Sequence, residues 1–171
     1  MKFLDKIANI MVILGVIVFL FPVARNEYAR YHTGTAVSVA MVGKRVILPG
    51  ARLPQDRDSL IFALSTTCHF CKESLPFYQQ LVTRSDGRVN LVAVLPQPQA
   101  EAQMYLQNAS IPISQVVSTG LDVVGVSATP TLLLVNSKGD IKKLWIGLLD
   151  EKGQQEVLSA VVPALNSASP M

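Results

Sequence analysis

The stretch Leu60-Ile61-Phe62-Ala63-Leu64-Ser65-Thr66-Thr67-Cys68-His69-Phe70-Cys71 decides the fold. Its first half, from Ser59 to Leu64, is a short continuous apolar run of the kind that forms a strand covered on both faces. Ser65, Thr66 and Thr67 follow, and all three are good helix N-caps. A helix is expected from about His69 to Thr83, so Cys68 falls where strand gives way to helix. There the unpaired backbone N–H groups and the positive end of the helix dipole favour a thiolate over a thiol.

Cys68 and Cys71 are the two cysteines of the 171-residue chain. Random placement would set them three apart about once in ninety times, so the spacing carries information. A structural zinc site needs four ligands, and the remainder would have to come from His32, His69 or carboxylates. His69, inside the motif, is badly placed to join its neighbours on one ion, and no metal is expected. Two inert core thiols are the bland alternative. Redox chemistry is the reading that uses the position, with Cys68 as the attacking thiolate and Cys71, nearly one turn deeper, resolving the mixed disulfide. A partly cationic His69 would stabilise the Cys68 thiolate and make the pair a better oxidant. Phe70 offers no hydrogen bond and would shield sulfur from water.

Outward from this centre the alternation continues. Val89 to Leu95 reads as a strand, Pro98 to Asn108 as a helix, Gln115 to Ser118 as a short strand and Thr131 to Asn136 as a clear one. The turn Ser137-Lys138-Gly139-Asp140 leads back through Ile141 to Ile146, and Glu151 to Leu165 carries an apolar helical face. Upstream, Ala36 to Met41 and Lys44 to Leu48 are β-rich around Val42-Gly43 and predict a hairpin. The order argues for an α/β sandwich with a mixed sheet. The expected organisation is 1–24 anchor, 25–35 linker, 36–166 domain and 167–171 tail.

The anchor is residues 7–24, in which no side chain is charged. As a helix this run spans roughly 27 Å, close to the thickness of a bilayer core. A buried core helix would show a polar face, and only Asn9 interrupts the apolar surface. A cleaved signal needs small residues at the cut, and Pro22-Val23-Ala24 and Glu27-Tyr28-Ala29 fit poorly. An uncleaved single-pass helix in the lipid bilayer is expected. Lys2 and Lys6 on one side balance Arg25 and Arg30 on the other, so charge gives no orientation. The short N-terminal tail and the dithiol place the domain outside the cytoplasm. The net charge of +3 is mild, and no basic stripe interleaved with aromatics points to nucleic acid.

These residues resemble the thioredoxin superfamily, in particular its membrane-anchored TlpA/ResA-like thiol–disulfide oxidoreductases. The resemblance covers about Leu60 to Leu165. It rests on the strand leading into Cys68-His69-Phe70-Cys71, on Pro76, on Gly125-Val126-Ser127-Ala128-Thr129-Pro130-Thr131, and on Lys138-Gly139 with Trp145-Ile146-Gly147. It implies a thioredoxin-like fold, a redox-active Cys68–Cys71 disulfide with no other cofactor, and a kink at Pro76. It also implies a cis Thr129–Pro130 bond against the dithiol, where Thr129 and Pro130 bind an extended substrate. Protein disulfides are the implied substrates, and a reductase would need a membrane electron donor. The implied location is the bacterial inner membrane, with the soluble domain on the extracytoplasmic side. A DsbA-like oxidase and a non-catalytic anchored binding or assembly module are the alternatives.

Three positions depart from the family pattern. Thr67 stands where a tryptophan is usual, Phe62 where thioredoxin has a buried acid, and Ser74 where many relatives carry glutamate. Glu73 is then the candidate acceptor for the Cys71 proton, with water as the alternative.

Overall fold

The apolar run before the dithiol forms β1, Ser59–Ala63, and every residue of it is buried. In this computed structural model the described residues are 41–85 and 87–162. After β1 come α1 (His69–Glu73), α2 (Leu75–Ser85), β2 (Asn90–Leu95), α3 (Gln99–Asn108) and β3 (Gln115–Ser118). A 3-10 turn at Leu121–Val124, β4 (Thr131–Val135), β5 (Ile141–Ile146) and α4 (Glu151–Val161) complete the domain.

The strands form one sheet in the order β3-β2-β1-β4-β5. β1 runs parallel to β2 and antiparallel to β4, so the sheet is mixed, as the alternation predicts. Successive side chains on a strand point to opposite faces, and both faces here are covered. Leu60, Phe62 and Leu64 pack with Cys71, with Phe77, Tyr78 and Leu81 of α2, Leu106 of α3 and Val157 of α4. Ile61 and Ala63 face the other way, against Val46, Leu48, Val124 and Val126. That second face is covered by extended chain and a 3-10 turn where the first is covered by helices.

Two expectations need correction. The described part of the predicted hairpin departs from expectation: Met41 is helical, and Lys44–Leu48 makes no strand of its own. Its backbone lies instead along the turn between β4 and β5, through Gly43 N–H to Ile141 O (2.8 Å), Ile141 N–H to Lys44 O (2.9 Å) and Val46 N–H to Gly139 O (2.9 Å). The alternation is real, since Val46 and Leu48 are buried and Ile47 is exposed, but it serves packing on the sheet. A Cβ at Gly139 would sit 2.5 Å from the Val46 carbonyl oxygen, so this approach requires glycine. The second correction concerns the active-site helix, which is broken into α1 and α2 at Ser74. Pro76 has no N–H to give to Lys72 O, and the Ser74 hydroxyl takes the Phe70 carbonyl at 2.8 Å.

Among the described residues no helix is long and apolar enough to cross a membrane. The predicted anchor at 7–24, the linker at 25–35, the first five residues of the hairpin's first arm, His32 and the 167–171 tail lie outside the described residues.

Candidate active site

The sheet register brings the two diagnostic segments together. Ala63, the last residue of β1, lies opposite Thr131, the first of β4. The loop leaving β1 carries Cys68, and the turn entering β4 carries Thr129 and Pro130. The Thr129–Pro130 peptide bond is cis. Pro130 is buried, and its carbonyl is held by Gly147 N–H at 2.7 Å. The Thr131 hydroxyl closes the turn onto Ala128 O at 2.8 Å.

Cys68 is itself the N-cap of α1, in the place expected for one of the three hydroxyl residues before it. Its sulfur accepts the Cys71 N–H at 3.1 Å and its thiol donates to Thr129 O at 3.3 Å. Both cysteines are free thiols; Cys68 is half-buried and Cys71 is buried. Cys68 therefore sits between a helix start and the backbone that precedes the cis-proline.

The two thiols are driven apart in acidity. Partial burial pushes Cys68 up, but the Cys71 thiol, the Thr129 side chain and the backbone of Cys71 and Phe70 hydrogen-bond its charged form and outweigh it. The net effect lowers Cys68 below an ordinary thiol. Burial pushes Cys71 up to about 12, reinforced by its hydrogen bond to Cys68. Alkylation should follow this order. Iodoacetamide should modify Cys68 half-maximally at a pH below the ~8.5 of free cysteine, while Cys71 stays unmodified at that pH. Peptide mass spectrometry across a pH series checks this, and equal labelling of the two thiols would contradict it.

His69 and Phe70 lie at the exposed tip of α1, the rings tilted at 60° with centroids 5.7 Å apart. The His69 imidazole reaches one turn along the helix to Glu73, with Nε2 2.9 Å from the carboxylate. Glu73 is thus bonded to His69, and it lies two helix positions from the buried Cys71, on a different side of α1.

Several residues around the site carry no sequence signal. The Gln97 side-chain amide donates to Ser65 Oγ at 2.9 Å, and the Thr66 hydroxyl donates to Glu101 at 2.7 Å. The loop before Cys68 is therefore tied to α3 and to the loop leading into it by residues some thirty positions away, a pairing that no local pattern encodes. Tyr78 shares the buried core with Cys71 and Tyr105 packs against that core, and periodicity reads both only as core.

No protein-family model matches the chain. The thiol-disulfide oxidoreductase ResA of Halalkalibacterium halodurans is 25% identical over 103 residues, 57% of this chain and 58% of that protein. The chain thus spans little more than half of that relative's length. StoA from Bacillus subtilis superposes with a TM-score of 0.51 at 20% identity, over 62% of this chain and 83% of that one. The exposed lipoprotein thioredoxin of Streptococcus pneumoniae superposes with a TM-score of 0.50 at 16% identity, over 62% and 86%. Both solved structures share the fold. With a cysteine pair at the first turn of the helix after β1 and a cis-proline beside it, the chain has a thioredoxin-like fold and is similar to the thiol-disulfide oxidoreductase ResA.

Proposed function

We propose that the chain exchanges disulfides with exported proteins through Cys68 and Cys71 and works as a reductase. The carrying observation is the Cys68 sulfur, capped by a helix N–H and lying 3.3 Å from the Thr129 carbonyl beside Pro130. The Cys68 thiolate attacks one sulfur of a substrate disulfide, and the other leaves as a thiolate. Thr129 and Pro130 hold the substrate's backbone in extended form. Cys71 then loses its proton and displaces the substrate from Cys68. The substrate departs with two electrons and the protein holds the Cys68–Cys71 disulfide. Glu73 or water takes the Cys71 proton. A membrane electron donor restores the dithiol. Residues 7–24 anchor the chain in the bacterial inner membrane, with the domain on the extracytoplasmic side. The similarity to ResA and to an exposed lipoprotein thioredoxin supports that side.

An oxidase of the same fold is the second reading, favoured by the hydrogen bonds that lower Cys68 and so stabilise the reduced state. The reduction potential of the pair separates the two. Equilibration with glutathione or dithiothreitol should give a value near thioredoxin's, about −270 mV. A value near about −120 mV would reverse the direction and assign His69 the tuning role. Failure to form the disulfide at all would sink both.

A further inference from the structure

The charges of the domain are sorted between the two ends of its sheet. β1 runs toward Cys68, so Ser59, with Asn90 of β2 and Val135 of β4 beside it, marks the end away from the dithiol. Three aspartates at that end are each bonded to a cation: Asp140 to Arg45 at 2.9 Å, Asp56 to Arg57 at 2.7 Å and Asp58 to Lys142 at 2.6 Å. Lys44, Arg52, Arg84, Arg88, Lys138 and Lys143 are further exposed cations there, and Asp86, between Arg84 and Arg88 in sequence, offsets one of them. The backbone fixes their places. Lys44 O accepts Ile141 N–H at the start of β5, Arg52 N–H bonds Gln115 at the start of β3, and Lys138 lies in the β4–β5 turn. The dithiol end is the reverse, with Glu73, Glu101, Asp122, Asp150 and Glu151 exposed against Lys72 and Lys152. The mild net charge of +3 therefore conceals a strong separation. Val42 and Ile47, 49% and 71% exposed, bracket Lys44 and Arg45, so aliphatic side chains stand among the cations. Residues 1–40 join the domain at this same end, since Lys44 N–H bonds Met41 O at 3.1 Å.

We propose that this basic end rests on an anionic phospholipid surface and turns the dithiol away from it. Each cation near such a surface is attracted to it, and the acidic dithiol end is repelled, so one orientation is favoured. Ile47 and Val42 enter the boundary between headgroups and acyl chains, as apolar residues beside lysines and arginines do at a membrane interface. An acidic protein would also suit the cations. It would leave the exposed aliphatic pair without a role, and that pair lies on the segment through which residues 1–40 reach the domain. The orientation holds whichever way the dithiol passes electrons.

The test places the full chain in nanodiscs of phosphatidylcholine alone or mixed with phosphatidylglycerol, labels amines briefly with acetic anhydride, and reads each lysine by mass spectrometry. Phosphatidylglycerol should protect Lys44, Lys138 and Lys143 several-fold, leave Lys152 unchanged, and lose its effect in about 1 M salt, where charges are screened within a few ångströms. Lys138→Gln with Lys143→Gln should weaken the protection of Lys44 about thirtyfold, from about fivefold for each cation lost near an anionic surface. Equal labelling in the two kinds of disc, protection that survives the salt, or protection of Lys152 as well overturns the inference. So does protection in native membranes with none in the phosphatidylglycerol discs, which would assign the cations to an acidic protein. The anchor at residues 7–24 is tested separately in the same experiment. A chain that leaves phosphatidylcholine discs but stays on phosphatidylglycerol discs sinks the anchor and upholds the basic end.

Discussion

Replacing Cys68 by Ser is expected to lower disulfide exchange by roughly 10³-fold or more, the scale of losing a nucleophile. A hydroxyl at this position would gain the same helix N–H and the same Thr129 neighbour. At neutral pH it would not ionise, and no disulfide could form through it. Cys71→Ser should behave differently. It keeps the nucleophile, so the first attack proceeds, and the covalent adduct with a substrate persists because nothing displaces it. Non-reducing electrophoresis of each variant with a disulfide-containing protein reads both results. Cys68→Ser should show no adduct and Cys71→Ser a stable one. Intact cellular activity in Cys68→Ser would favour the anchored binding module over any oxidoreductase. An adduct that forms through Cys71 in Cys68→Ser would reverse the assignment of roles, against the burial of Cys71.

The fold was legible where a local signal and tertiary packing agree. Leu60 to Leu64, Leu91 to Leu95 and Leu132 to Val135 are apolar runs too short for helices, and they became the central strands β1, β2 and β4. Lys44 to Leu48 shows where the same signal misleads. Alternation identifies extended chain with one buried face, and it cannot say which backbone lies alongside. The partner proved to be the β4–β5 turn, almost a hundred residues away. The 3-10 turn at Leu121–Val124 escaped for another reason. Four residues with mixed polarity have no period to detect, although the Gly125 that follows caps it in the left-handed region at φ 73°.

The site divides along similar lines. Cys68, Cys71 and Pro130 could be read because their residue types are rare and their chemistry depends on spacing. Ser65, Gln97 and Glu101 are ordinary residues whose importance comes from where α3 and the loop before it pass the dithiol loop. His69 and Glu73 are intermediate. Both drew notice for their charge, yet their bond to each other at 2.9 Å emerged only with the helix. An i, i+4 histidine–glutamate pair is a weak surface feature by itself.

Phe62→Ala should destabilise the domain by about 3–5 kcal/mol, the range for removing a phenylalanine from a packed core. Phe62 is fully buried at the centre of β1, paired with Ala93 of β2 on one side and Leu132 of β4 on the other. Its ring meets Tyr78 edge to face at a centroid distance of 5.4 Å. The loss therefore combines transferred surface, a cavity between sheet and α2, and an aromatic contact of about 0.5–1.5 kcal/mol. A domain of this size is stabilised by only about 5–15 kcal/mol, so the melting temperature should fall by roughly 10–20 °C. Phe62→Leu keeps most of the volume and should fall less. Thermal melts of the reduced proteins measure both. The same pair separates packing from proton handling, because Phe62 has no group that can bind a proton. Below its lowered melting point, Phe62→Leu should resolve mixed disulfides with the native pH profile. A displaced pH profile in Phe62→Leu would mean that Cys71 acidity is set by the tightness of the core.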